Sequence, residues 1–242
     1  MADRLFEEPS LARLYDPFDP DRSDLDAYRS IVGELRARRV LDIGCGTGTF
    51  ACMLGRDGVE VVGLDPALAS LEIARKKPGA ESVRWVHGDV GALPPLTVDL
   101  VTMTGNVAQV FVTATEWKSV LDAVHGLLAA EGHLVFESRA PEDQAWLRWT
   151  AEMTRERLTV PGVGTVDRWV EVTDVQPGTV SLRWTFVFEL DGATLTSDST
   201  LRFRTREEIE GTLRQSGFAV RQVRGAADRP GRELVFIAQR AG

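Results

Sequence analysis

Two cysteines and three histidines are all that 242 residues offer in those types. Two cysteines cannot build a disulfide framework. The fold must therefore rest on a buried apolar core, and a reducing cytoplasm is the expected compartment. His87, His125 and His133 show no metal-ligand spacing, so no metal is expected. Positive charge is also short, with 28 Lys and Arg against 36 Asp and Glu and a net charge of −8. Such a chain is not built to coat a nucleic-acid backbone, and no DNA partner is expected. No window of eighteen apolar residues exists, so neither a membrane span nor a membrane partner is expected. Residues 1–14 are charged and lack an apolar stretch, so no signal peptide is expected. Repeats and low-complexity tracts are absent. Hydrophobic residues at 43% and charged ones at 26% are ordinary for a globular protein and exclude an intrinsically disordered one.

What is present is alternation. Short apolar runs fall at residues 40–43, 59–64, 82–87, 98–103 and 133–137. Helical stretches separate them, the pattern of βαβ units and a parallel sheet. Ser23 is placed to cap a helix whose Leu25, Tyr28, Val32 and Leu35 share a face. Thr113 and Glu116 form a capping-box pattern, followed at helical spacing by Trp117, Val120, Leu121, Val124, Leu127 and Leu128. Gly132 suits the exit from that helix. Thr205 and Glu208 form a second capping box, opening a helix that should end near Gly217.

One stretch departs from this rhythm. Val180, Leu182, Trp184, Phe186, Phe188 and Leu190 alternate with polar residues, the signature of a half-buried antiparallel strand. Asp191-Gly192 is a strong hairpin signal and leads to a return strand over 193–203. Residues 165–175 form a third strand, joined through Pro177-Gly178. Residues 160–204 therefore read as an antiparallel insert between the fifth and sixth strands of the main sheet. It has no evident core of its own and should pack on the main domain.

Residues 40–49 carry the chemistry. A strand, Val40-Leu41-Asp42-Ile43, enters Gly44-Cys45-Gly46-Thr47-Gly48, and a helix should follow from Thr49. The glycines permit positive φ and close approach of a ligand, and amides at a helix start favour an anionic or polar group. The dinucleotide fingerprint needs Gly or Ala where Thr49 stands, which disfavours a nicotinamide oxidoreductase. No phosphate-binding G-x-x-x-x-G-K-[ST] loop exists. Asp65 ends the second strand, twenty-one residues after Gly44, where a carboxylate can accept from a ribose diol.

Together these segments resemble class I S-adenosylmethionine-dependent methyltransferases. The resemblance runs through Leu41-Asp42-Ile43-Gly44-Cys45-Gly46-Thr47-Gly48, Gly63-Leu64-Asp65-Pro66-Ala67 and Val86-His87-Gly88-Asp89-Val90. It continues through residues 98–106 and residues 127–135, in the family's order and spacing. Tyr15-Asp16 looks like the family's N-terminal lid, and residues 232–240 like its antiparallel seventh strand. The implied fold is α/β: a doubly wound, mostly parallel seven-stranded sheet with an antiparallel last strand and an antiparallel β insert. The chain would be a single domain over 1–242. Within it, 1–38 form the lid and first helix, and 39–140 the cofactor-binding core. Residues 141–204 add a helix and the insert on the acceptor side, and 205–242 the final helix and strands.

The resemblance also implies roles. S-adenosyl-L-methionine would be the cofactor, lying across the C-terminal ends of strands one, two and four. Gly44 and Gly46 would meet its methionine part, and Asp42 would orient that loop and help hold the ammonium. Asp65 would bind the ribose hydroxyls. Pro66 and Ala67 would lie against the adenine, with Leu71 nearby. Asp89 and the Val90 amide would bind the adenine edge, and Met103, Thr104 and Gly105 would border the sulfonium. Asn106, Tyr15 and Arg139 are the acceptor-side candidates, against a helix-cap role for Asn106 and an ion pair for Arg139. The insert should roof the pocket. Trp146 and Trp149, three apart, should share one helical face in the core. Cys52 reads as an apolar helix residue, and no redox role is expected for Cys45. The expected activity is methyl transfer to a small-molecule acceptor, by a monomer or homodimer. A protein or RNA methyltransferase, or a non-catalytic cofactor-binding protein, are the alternatives. Asp65→Ala should weaken cofactor binding while leaving the fold intact.

Overall fold

The computed structural model describes residues 2–226 and 228–241. The described residues form eleven strands: β1 Arg39–Ile43, β2 Glu60–Asp65, β3 Val83–His87, β4 Val98–Met103, β5 Leu128–Arg139, β6 Glu156–Val160, β7 Gly164–Gln176, β8 Thr179–Phe188, β9 Thr194–Arg202, β10 Phe218–Gly225 and β11 Glu233–Arg240. The helices are α1 Arg4–Glu7, α2 Pro9–Ala12, α3 Tyr15–Phe18, α4 Asp24–Glu34, α5 Thr49–Arg56, α6 Leu68–Ala74, α7 Ala114–Leu127, α8 Ala151–Thr154 and α9 Arg206–Gln215. No helix among the described residues is long and apolar enough to cross a membrane.

Seven strands form one sheet in the order β10-β11-β5-β4-β1-β2-β3. The pairs β1–β2, β1–β4, β2–β3 and β4–β5 are parallel, while β11 runs antiparallel to both neighbours. Both faces are covered, so the strands are apolar on both sides. Leu41, Ile43, Val62, Leu64, Val101, Met103, Leu134 and Phe136 face one core, which includes Trp117 and Leu121 of α7 and Ile209 and Leu213 of α9. Val40, Val61, Leu100 and Val135, on the alternate positions, face a second core with α4 and α5. The first four strands start and end within one residue of the runs visible in the sequence.

Helix boundaries follow local chemistry, with two corrections. Both capping boxes form, at Thr113/Glu116 and Thr205/Glu208. We predict that Thr113→Ala costs about 1 kcal/mol of stability, read as a lower urea midpoint; an unchanged midpoint would refute it. Ser23 caps nothing with its side chain; its amide instead donates to Asp21. Gly132 is not the exit of α7. The helix ends at Leu127, and β5 leaves its ladder with β4 between Leu128 and His133. Glu131, not a glycine, takes the left-handed turn there at φ 63°.

The insert has four strands, ordered β6-β7-β8-β9. Strand β6 escaped the sequence reading because Glu156, Arg157 and Thr159 leave it only two apolar residues. Leu190 does not belong to β8; it sits 84% exposed in the turn before Thr194. The inner face of the insert carries Val166, Phe186 and Phe188, and these pack on Leu11 and Leu14 of the N-terminal segment. The insert therefore shares its core with α1–α3, which supply the apolar surface it lacks. Trp146 and Trp149 are half-buried against Phe203 rather than inside the main core. They sit on and just after a 3-10 turn, Ala145–Arg148.

Candidate functional site

The site lies where the parallel strands end. Strand β1 runs into a turn whose Gly44, Gly46 and Gly48 hold φ of 70°, 53° and 77°. The Gly44 and Cys45 amides donate to the Leu64 carbonyl at 2.8 and 3.1 Å, tying this turn to β2. Gly48 lets α5 pack tightly: a Cβ there would stand 2.5 Å from the Trp85 ring. Around the turn lies a cavity of about 260 Å³, which also meets the ends of β2 and β4 and the turn after β3.

Asp65 ends β2 and is 6% exposed. Its Oδ2 accepts from the Gly46 amide at 2.7 Å and its Oδ1 from the Ala67 amide at 2.8 Å. Burial pushes its pKa up, and these two amides counter that. Each oxygen keeps a further lone pair. Pro66 lines the cavity, whereas Ala67 and Leu71 are fully buried behind it. Asp89 is exposed at the cavity edge beside Val90, and one of its oxygens caps the Gly91 amide. Thr104 and Gly105 form the wall after β4. Met103 is fully buried and faces the α7 core, because residues alternate along a strand.

Asp42 lies behind the wall, 1% exposed. Its Oδ1 accepts from the Thr102 hydroxyl at 2.9 Å, and its Oδ2 has no partner. Burial pushes its carboxyl from 3.8 up to about 7, only partly offset by Thr102. Between those values the folded protein keeps a proton that the unfolded chain has released. Stability attributable to Asp42 therefore falls as pH rises through that window. Asp42→Asn stays neutral and removes this slope. From pH 5 to pH 8, we expect wild type to lose more of its urea midpoint than the variant; parallel losses would refute the assignment.

The N-terminal segment closes the cavity, and the insert does not. Phe6, Tyr15 and Arg22 line it, whereas no residue of β6–β9 does. The segment is pinned from several directions. Lys77 Nζ donates to Asp16, Thr47 and Thr49 at 2.9, 3.0 and 2.6 Å, joining the segment to the glycine turn. The Phe6 carbonyl accepts from Ser70 Oγ, and Glu7 accepts from the Leu68 amide. Tyr15 packs on Phe6 with ring centroids 5.7 Å apart, and burial raises its phenol pKa. Arg22 is the one Lys or Arg among the described residues lining the cavity. Asp24 pairs with it at 3.2 Å.

Asn106 and Arg139 belong to a buried polar cluster next to the cavity rather than to its wall. Asn106 Nδ2 donates to Glu233 at 3.1 Å, and its amide donates to Glu137 at 3.0 Å. Arg139 pairs with Glu233 at 3.5 Å and donates to Gln109 at 2.9 Å. Burial lowers the Arg139 pKa, which Glu233 opposes. Sequence reasoning missed Phe6, Arg22, Val107, Val110 and Phe111 as wall residues, since none carries a motif. His87 reaches the Pro66 carbonyl at 3.0 Å, and His125 stacks edge-on against Phe218. The described residues hold no group of three or more His, Cys, Asp or Glu arranged for a metal. Cys45 and Cys52 are free and buried.

Residues 40–132 match a family described as a methyltransferase domain. A methyltransferase of Oceanobacillus iheyensis named as uncharacterised is 33% identical over 112 residues, covering 46% of this chain and 51% of that one. The chain spans about half the length of the curated relatives it matches. Among solved structures, an S-adenosylmethionine-dependent methyltransferase of Clostridium acetobutylicum superposes with a TM-score of 0.75 at 17% identity. That match covers 96% of this chain and 98% of the other. An S-adenosylmethionine-bound amino pentose methyltransferase of Micromonospora echinaspora gives 0.70 at 24%, covering 94% and 97%. Residues 40–132 thus resemble a methyltransferase domain, and the fold of the whole chain is that of these solved structures.

Proposed function

We propose that this chain is a class I S-adenosylmethionine-dependent methyltransferase that moves a methyl group to an amine nitrogen of a small molecule. The observation that carries the reading is the cavity at the strand ends, closed over by Phe6 and Tyr15 and walled by the glycine turn and Asp65. Two features of the chain fit the cofactor. A Cβ at Gly46 or Gly105 would meet nothing within 4 Å, so both backbones are open toward a ligand. Asp42 Oδ2 is a buried acceptor without a partner.

Asp65 is assigned to the ribose hydroxyls, with its spare lone pairs. The free oxygen of Asp89 and the Val90 amide are assigned to the adenine edge. Arg22 is assigned to the carboxylate of the methionine part, and Asp42, behind the wall, to its ammonium through a bridging water. Bound S-adenosylmethionine supplies an electrophilic methyl on sulfur. The protein's task is alignment, since direct displacement needs nucleophile, methyl and sulfur in line. Phe6, Val110 and Phe111 give the cavity an apolar lining suited to a small acceptor whose amine enters as its free base. The Tyr15 phenol oxygen would orient that nitrogen by accepting its N–H, which leaves the lone pair free to meet the methyl. The amino pentose methyltransferase of the same fold supports an amine as the first class to screen.

Calorimetric titration with S-adenosylmethionine, S-adenosylhomocysteine and NAD tests the cofactor half. Saturable binding of the first two and not of NAD supports it; binding of NAD alone overturns it. Homocysteine-product detection across small amines, phenols and carboxylic acids then tests the acceptor, and turnover confined to non-amines would overturn that part.

A further inference from the structure

We infer that Glu137 is a positioning residue for methyl transfer: its buried carboxylate holds the Asn106 amide and so fixes the loop that walls the cavity. Gly105 and Asn106 hold successive left-handed conformations, at φ 70° and 62°. Asn106 N donates to Glu137 Oε1 at 3.0 Å, and the Tyr28 hydroxyl donates to Oε2. Glu137 is 7% exposed and lies near the end of β5. It thus joins β5, α4 and the loop after β4 at one buried point.

The consequence reaches the cavity through the backbone. Glu137 and Asn106 do not line it, but Thr104, Gly105 and Val107 do. The Val107 methyls stand where a Cβ on Gly44 would be, 2.5 Å away at the nearest. Moving the loop therefore moves both walls of the end assigned to the methionine part. Asn106 adopts a left-handed conformation without being a glycine and is held in it from outside. Glu137 holds it through the amide, and Glu233 through the side chain. Arg139 at 3.5 Å and Arg229 at 2.8 Å balance Glu233, so the cluster holds its two carboxylates without leaving their charge unpaired.

The inference rests on the cofactor reading above, and one experiment separates the two. S-adenosylhomocysteine and adenosine are titrated into wild type, Glu137→Ala and Glu137→Gln, with melting temperatures recorded alongside. Adenosine carries only the end assigned to Asp65 and Asp89. Losing this carboxylate should weaken S-adenosylhomocysteine about tenfold in Glu137→Ala, with adenosine changed less than about twofold. Glu137→Gln keeps one acceptor oxygen and should recover most of the loss. Should the alanine variant fail to fold, the glutamine variant carries the same comparison, with a smaller selective loss. Equal losses for both ligands, tracking the melting temperature, would make Glu137 merely structural and overturn the inference. No loss for S-adenosylhomocysteine would overturn it too. Wild type that binds no S-adenosylhomocysteine overturns the cofactor reading and this inference together.

Discussion

Asp65→Ala should weaken S-adenosylhomocysteine binding at least about 100-fold, since hydrogen bonds to a charged group are worth about 1.5–3 kcal/mol each and two ribose hydroxyls lose their acceptor. The structure adds a second cost that the sequence did not announce. The same carboxylate accepts from the Gly46 and Ala67 amides at 2.7 and 2.8 Å. The fold should stay intact, but the variant leaves two amides without partners in a largely buried turn. We expect a stability loss of about 1–3 kcal/mol, with the glycine turn loosened. Asp65→Asn, keeping one carbonyl oxygen, should fall between wild type and Ala on both scales. Calorimetry and urea unfolding read the two effects separately. Unchanged affinity in Asp65→Ala sinks the ribose assignment, and unchanged stability sinks the role as a brace.

Gly44→Ala should abolish measurable cofactor binding and destabilise the protein by about 2–4 kcal/mol, from left-handed strain and overpacking together. The added methyl would stand 2.5 and 2.9 Å from the Val107 methyls. Val107 sits on the loop held by Glu137, so relief of the clash must displace that loop or the glycine turn. Gly46→Ala is the informative contrast. Its φ of 53° carries strain, yet nothing lies within 4 Å of the added methyl. It should cost about 1–2 kcal/mol in stability while its methyl enters the space assigned to the ligand. Both variants lose binding; only Gly44→Ala loses the larger stability increment. A Gly44→Ala protein with wild-type urea midpoint and affinity would show that the close approach of turn and loop is not needed.

The local pattern determined much of this protein. Alternation of apolar runs with helical stretches, the capping boxes at Thr113 and Thr205, and the glycine turn before Thr49 are near-neighbour signals. They act through backbone geometry, hydrogen bonds a few residues apart and hydrophobic periodicity, so they can be read without knowing what packs where. The placement of Asp65 at the end of β2 and of Asp89 just after β3 follows from them.

Tertiary structure alone decided what closes the cavity and what supports its walls. Phe6 and Arg22 line it because α1–α3 fold back, and Leu11 and Leu14 do so by burying the apolar face of the insert. The insert, expected to roof the pocket, is instead the buttress behind the segment that does. Tyr28, Asn106, the β5 residues Glu137 and Arg139, and Glu233 come from four distant parts of the sequence and meet only when β5, β11, α4 and the loop after β4 come together. A buried carboxylate must find donors and countercharge wherever the fold supplies them. Those partners depend on long-range packing, and no local spacing in the chain encodes them.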